Sequence, residues 1–170
     1  MKCCPIVLFP EKVLRIEAAA VSVFGPELMD LISRMQAAMK SQKHGIGIAA
    51  PQIGVSQAVA LVDVSGRVQN AKGRVLVNPK IINHSKEKVI SREGCMSLPD
   101  YMADLNRWEW VEVSWQDEKG SVHRGTYSGI EGICMQHEID HLHGKLFLDR
   151  VACLKTDMFA RHLKKSRKKQ

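Results

Sequence analysis

The spacing of apolar residues changes along the chain. Leu28, Leu31, Ile32, Met35 and Met39 recur at helical spacing behind Gly25-Pro26 and predict an amphipathic helix over about residues 26–44. Residues 5–16, with Pro5 and Pro10, read as an extended arm. After the first helix the period shortens. Residues 58–64 and 74–78 read as strands and 88–91 as a third. Residues 108–115 read as a strong strand, with Val111, Val113 and Trp115 on one face. Gly66, Gly73, Gly120 and Gly125 read as turns. A second helix is expected over about 128–142 and a third over about 150–164. Short central strands with helices on either side, and no internal repeat, predict an α+β fold with mixed or antiparallel sheets rather than a doubly wound one.

Composition narrows this further. A chain of 170 residues, 45% hydrophobic and 25% charged, suits one globular domain. That domain is expected over residues 1–164, with 165–170 a basic, disordered tail. No apolar run reaches the 18 or so residues of a membrane span, so no membrane partner is expected. The net charge is +7, but residues 155–170 hold seven Lys or Arg against Asp157 alone. The basicity is therefore a property of one end, and a domain that reads nucleic-acid sequence is not expected. Five cysteines, an odd number in a domain large enough to fold without disulfides, fit a reducing compartment, and the N-terminus lacks a secretory pattern. The expected location is the cytoplasm.

The strongest chemical signal is His137-Glu138-Ile139-Asp140-His141. Two histidines four apart on one helix face can reach one metal ion, and the glutamate beside them can take a proton from metal-bound water. Ile130, Ile133, Cys134, His137 and His141 form one stripe, so the histidines are expected to face inward. The third ligand is less obvious. No glutamate follows Glu138, and the position that would carry a third downstream histidine is Phe147. Cys95, within Glu93-Gly94-Cys95-Met96-Ser97, is the better candidate, since a His2Cys set leaves a fourth position open. Cys134, one turn before His137, is its rival. Residues 45–52 (Gly-Ile-Gly-Ile-Ala-Ala-Pro-Gln) follow a helix and lead toward a strand, the reverse of a dinucleotide loop. They suit close approach to an extended ligand, with Gln52 donating amide hydrogens to a developing oxyanion.

Taken together, the segments 45–52, 93–97 and Gln136 to His141 resemble, in order and spacing, the peptide deformylases, over nearly the whole chain from Val7 to Arg150. The resemblance implies that family's fold, with sheets packed around a central HExxH helix. It also implies a hydrolase that removes the N-formyl group from the initiator methionine of nascent polypeptides and releases formate. It implies Cys95, His137 and His141 as metal ligands, with Fe2+ the usual ion and Zn2+, Ni2+ or Co2+ as substitutes. Glu138 is implied as general acid and base, and Gln52 with the Met96 backbone N–H as oxyanion donors. Gly47 and Gly94 are implied to pair with the substrate backbone, and Ile46, Ile130, Ile133 and Cys134 to line the methionine pocket.

Some positions depart from the family pattern. Met96 stands in place of a common leucine, Ser91 in place of an apolar residue at the pocket rim, and Met102 where many members carry an arginine near the substrate backbone. Glu131 replaces a leucine, whereas Arg107 matches a second arginine of the family, and the resemblance implies that it pairs with Glu93. The basic C-terminus has two readings, a ribosome contact or a solubilising tail. Two other functions share the HExxH signal: a metallopeptidase, and a non-catalytic module that holds N-terminal peptides.

Overall fold

The computed structural model describes residues 4–42 and 45–161. The first helix, α1 (Pro26–Lys40), starts with proline in its first turn and buries Leu28, Leu31, Ile32, Met35, Ala38 and Met39. An Asp30–Arg34 pair spans four residues on the opposite face. The helix stops at Lys40, sooner than its periodicity predicts, where the Ser41 N–H closes the last turn on Ala37.

Three strands follow: β1 (Gly47–Ala49), β2 (Val59–Val62) and β3 (Arg74–His84). β2 is buried on both faces. Val59 and Leu61 join Ile48 and Val77 against α1, while Ala60 and Val62 join Ala49 and Leu76 in the core beyond. This is the side-chain alternation of a strand between two layers. β3 extends past its expected end at Asn78. Pro79 cannot donate to the ladder, and the pairing shifts register there instead of stopping.

The next two strands form a long hairpin, β4 (Lys88–Cys95) and β5 (Leu98–Trp108), turned at Met96 and Ser97. β4 was expected to end at residue 91 and runs to Cys95. β5 was not expected at all. The predicted strand 108–115 is in fact the end of β5 and then β6 (Trp110–Gln116), separated at Glu109, with Val111, Val113 and Trp115 buried as anticipated. β7 (Val122–Ser128) pairs with β6 along its whole length, so Gly125 lies inside a strand and not at a turn.

The second helix, α2 (Gly129–Leu142), packs on β1, β2, β6 and β7. Beyond it the expected third helix is replaced by α3 (Leu154–Asp157), one turn long, and β8 (Met158–Ala160), which pairs with β5. The remainder of that predicted helix and the tail 165–170 lie outside the described residues. The extended arm gives way at Lys12–Arg15 to a 3-10 turn.

The strands form a five-stranded sheet, β1-β2-β3-β6-β7, and a three-stranded sheet, β4-β5-β8, in which every pairing is antiparallel. A smaller core of Cys95, Ala103, Leu105 and Phe147 lies under the three-stranded sheet. Among the described residues no helix is long and apolar enough to cross a membrane.

The approach of α2 to β7 depends on Gly132. A Cβ there would sit 2.6 Å from the Tyr127 carbonyl oxygen, a backbone atom that cannot swing away. Alanine is ordinarily the better helix former by about 1 kcal/mol. Gly132→Ala is nevertheless expected to destabilise the protein by about 1–2 kcal/mol, because the overpacking outweighs that gain. Urea unfolding checks this, and an unchanged or raised midpoint would contradict it.

Candidate metal centre and active site

Cys95 is the last residue of β4, and His137 and His141 project from α2, so the hairpin and the helix supply one side of the site each. The ligating atoms of the three side chains all lie within 4.8 Å of one another, and all three residues are buried. Cys95 Sγ is 3.3 Å from His141 Nε2. Spacings of this size match the ligand cage of an ion with bonds of about 2.0–2.3 Å.

The local electrostatics ask for a cation. Burial alone would raise the Cys95 thiol, but the His141 and His137 imidazoles outweigh it and hold the group well below the usual thiol range. The His141 Nδ1 atom is buried without a partner. His137 Nδ1 is held by Glu93 Oε2 at 2.8 Å, which orients the ring and leaves its Nε2 facing Cys95 and His141. A thiolate, two imidazoles and a carboxylate behind one of them fit a divalent metal ion. Cys134 is not part of this set. Its thiol meets the Ile46 carbonyl at 3.5 Å, and burial, then the nearby Glu138 carboxyl, push it well above the usual range.

A chain of buried charge supports the ligands. Arg107 donates from Nε and Nη2 to the two oxygens of Glu93 at 2.7 and 2.8 Å, and from Nη1 to Asp140 at 2.6 Å. Arg150 clamps the same Asp140 at 3.0 and 2.5 Å. Burial alone would raise the Glu93 carboxyl, but Arg107 and His137 bring it down to about 2. The pairing of Arg107 with Glu93 is the one that the family resemblance implied. The roles of Asp140 and Arg150 were not legible in the sequence, because nothing in the local pattern links residues from the helix, from β5 and from the 3-10 turn Phe147–Arg150.

Gln52 lies in a buried 3-10 turn, Ala50–Ile53, opened by Pro51. Its Oε1 accepts the Ala49 N–H at 2.9 Å, which turns the amide nitrogen toward Cys95 Sγ at 3.5 Å and the Ser97 hydroxyl at 3.2 Å. The N-terminal arm braces this turn: the Val7 N–H donates to the Gln52 carbonyl, and the Phe9 N–H to that of Ser97.

Glu138 is buried, and its Oε2 has no hydrogen-bond partner. Burial raises its carboxyl to about 7 despite the opposing imidazoles of His137 and His141. Gly47 makes room for it: a Cβ there would come 2.3 Å from Glu138 Oε1 and 2.7 Å from the Cys134 sulfur. This is a packing reason for glycine beyond any contact with a ligand.

One groove, of about 460 Å3, opens onto these groups. Ile46, Gly47, Gln52, Gly94, Cys95, Met96, Ile130, Ile133, Cys134, His137 and Glu138 all line it, whereas His141 lies deeper. Ser91 and Met102 line it too, as do Arg67, Arg92 and Arg161, which the sequence did not single out. Glu131 faces away and pairs with Arg74.

Such a triad, beside a poised carboxyl and open on one side, defines a metal-binding hydrolase site. The polypeptide deformylase family model matches residues 3–157. The peptide deformylase of Rhizobium meliloti is 35% identical over 164 residues, covering 96% of this chain and 94% of that one. A crystal structure of a class I type b peptide deformylase from Acinetobacter baumannii superposes with a TM-score of 0.84 at 34% identity, covering 89% of this chain and 100% of that one. The peptide deformylase structure from Thermotoga maritima gives 0.83 at 31% identity, covering 90% and 100%. The chain belongs to the polypeptide deformylase family, and it is an enzyme.

The buried charges make a sharp prediction. Arg107→Leu leaves Glu93 and Asp140 short of their shared cation and is expected to cost about 3–5 kcal/mol of stability. Metal affinity should fall about 10–100-fold as His137 loses its fixed partner. Urea unfolding and metal titration check both, and a variant of wild-type stability would refute the account.

Proposed function

We propose that the groove receives the formylated end of a nascent polypeptide and that Glu138, Gln52 and Met96 carry out the hydrolysis. The chain removes the N-formyl group from the initiator methionine, releasing formate and a free amine. The observation that carries the residue assignment is the convergence of the Cys95–His137–His141 triad, the Glu138 carboxyl and the Gln52 amide on one groove.

A divalent ion held by Cys95, His137 and His141 supplies, when bound, acidification of water and polarisation of the formyl oxygen. We assign Fe2+ as the native ion on the family's pattern, with Zn2+, Ni2+ or Co2+ as substitutes that the mixed thiolate and imidazole donors equally accept. Glu138 accepts the proton of the attacking water at its unpartnered oxygen and passes it to the departing amine. A carboxyl raised to about 7 can do both near neutral pH. As charge builds on the formyl oxygen, the Gln52 amide and the Met96 backbone N–H donate to it. The Gln52 amide is already aimed, so little reorganisation is needed.

The methionine side chain occupies the pocket of Ile46, Ile130, Ile133 and Cys134. Gly47 and Gly94 sit on β1 and β4, each the end strand of its sheet. An extended peptide can add to such edges by main-chain pairing. Ser91 brings a hydroxyl to the pocket wall and broadens what that wall accepts. The single domain is assigned to residues 1–164 and the enzyme to the cytoplasm, where formylated chains emerge.

Protein purified without oxygen is expected to release formate from formyl-Met-Ala-Ser and to leave its peptide bonds intact. Glu138→Gln should keep its metal while kcat falls by about 10²–10⁴. Near-full activity in that variant would remove Glu138 from the mechanism, and peptide fragments in place of formate would identify a peptidase. The basic end from Lys164 to Lys169 is assigned to ribosomal RNA, where lysines neutralise phosphate. Deleting residues 162–170 should abolish co-sedimentation with ribosomes, and unchanged co-sedimentation rejects the contact.

A further inference from the structure

The short strand β8 ends at the mouth of the active-site groove. It pairs with β5 through Tyr101↔Ala160, Met102↔Phe159 and Ala103↔Met158. The Arg161 N–H then donates to the Asp100 carbonyl at 2.7 Å, so the backbone is fixed as far as the residue whose side chain lines the groove. Arg161 Nη2 lies 3.4 Å, and its guanidinium carbon 3.7 Å, from the point where a Cβ on Gly94 would project; Met102 Cγ lies 3.6 Å from that point. The guanidinium therefore rests against Gly94, at the edge strand that borders the groove.

Its chemistry is uncommitted, unlike that of its neighbour. Arg92 donates twice to Asp104 at 2.8 Å and stacks 4.7 Å over the Phe159 ring. Among the described residues Arg161 forms no ion pair. Of the two acids lining the groove, Glu93 is held by Arg107 and His137, and Glu138 lies at the reacting centre. A molecule entering the groove thus meets a positioned guanidinium with five donors. Ile90, Arg92 and Gly94 share the exposed face of β4 and extend outward from the metal triad for about 13 Å. A peptide paired along the free edge of β4 passes Gly94 and presents backbone carbonyl oxygens beside Arg161.

We propose that Arg161 is a substrate-binding residue whose guanidinium donates to backbone carbonyl oxygens of the residues after the formylated methionine. A residue of the C-terminal strand thereby favours peptides over a single formylated amino acid. The inference rests on the deformylase reading of the site.

Steady-state kinetics of wild type, Arg161→Leu and Arg161→Lys on two substrates test it: formyl-Met-Ala-Ser with an amidated C-terminus, and formyl-methioninamide. For the tripeptide, Arg161→Leu should raise KM about tenfold with kcat within about twofold. Its kcat/KM for formyl-methioninamide should match wild type, and Arg161→Lys should recover part of the tripeptide KM. Equal losses on both substrates, or an unchanged tripeptide KM, overturn the proposal. A loss seen only with a free C-terminal carboxylate also overturns it. If wild type releases no formate, the functional reading fails separately. Calorimetric titration with amidated Met-Ala-Ser then decides the role of Arg161: binding about tenfold weaker in Arg161→Leu supports it, and equal binding rejects it.

Discussion

The buried guanidinium of Arg107 is the constraint on which the site depends. It sits on β5, holds Glu93 of β4 at two points and Asp140 of α2 at a third. The hairpin strand β4 and the helix α2, which carry the metal ligands, are thereby fixed to each other by one side chain of β5. Arg150 caps the chain at Asp140, and Glu93 passes the order on to the His137 ring. Buried charge of this kind gives little net stability, since desolvation offsets most of the attraction. Its value here is positional: Cys95 lies two residues from Glu93, and His141 one from Asp140. An apolar substitute for Arg107 would leave the buried Glu93 and Asp140 carboxylates uncompensated and release both ligating elements.

The groups proposed to carry out the hydrolysis are built on the opposite principle. Glu138 and Gln52 are buried, yet both line the groove. Glu138 carries an unpartnered oxygen, and a glycine at position 47 is what allows its carboxyl to stand there. Gln52 spends its oxygen on the Ala49 N–H, and its nitrogen stays turned toward Cys95 and Ser97. The first arrangement raises a proton affinity and the second fixes a donor. Both follow from backbone placed close by, in β1 and in the turn that follows it.

Much of this was legible in the sequence where one local pattern dictated the outcome. α1 has an unbroken helical stripe, and β6 alternates cleanly, so both were found. The His137 and His141 pair was readable because its spacing is local, whereas Cys95, far upstream, stood beside Cys134 as a candidate until the family resemblance singled it out. β5 was hidden because Pro99 and Arg107 stand on the side of Ala103 and Leu105 and break its apolar face. Arg107 occupies an inward position that an apolar residue would ordinarily fill, and it is charged because of partners far off in sequence. β7 buries Tyr127 alone among its side chains, so its strand character comes from pairing with β6 and not from hydrophobic pattern. Residues 154–160 have helix-forming residues, but β8 is set by the exposed edge of β5, a partner that no local window contains. Asp140, Arg150, Ser97 and Arg161 were missed for the same reason.

The central claim is that this charge-braced hairpin and helix hold one metal ion through one sulfur and two imidazole nitrogens. X-ray absorption at the edge of the bound metal tests it most directly. The account predicts, for the zinc-loaded protein, one sulfur at about 2.3 Å and two imidazole nitrogens at about 2.0–2.1 Å, with the sulfur scattering lost in Cys95→Ala. A first shell without sulfur in the wild type, or one unchanged by Cys95→Ala, would contradict it.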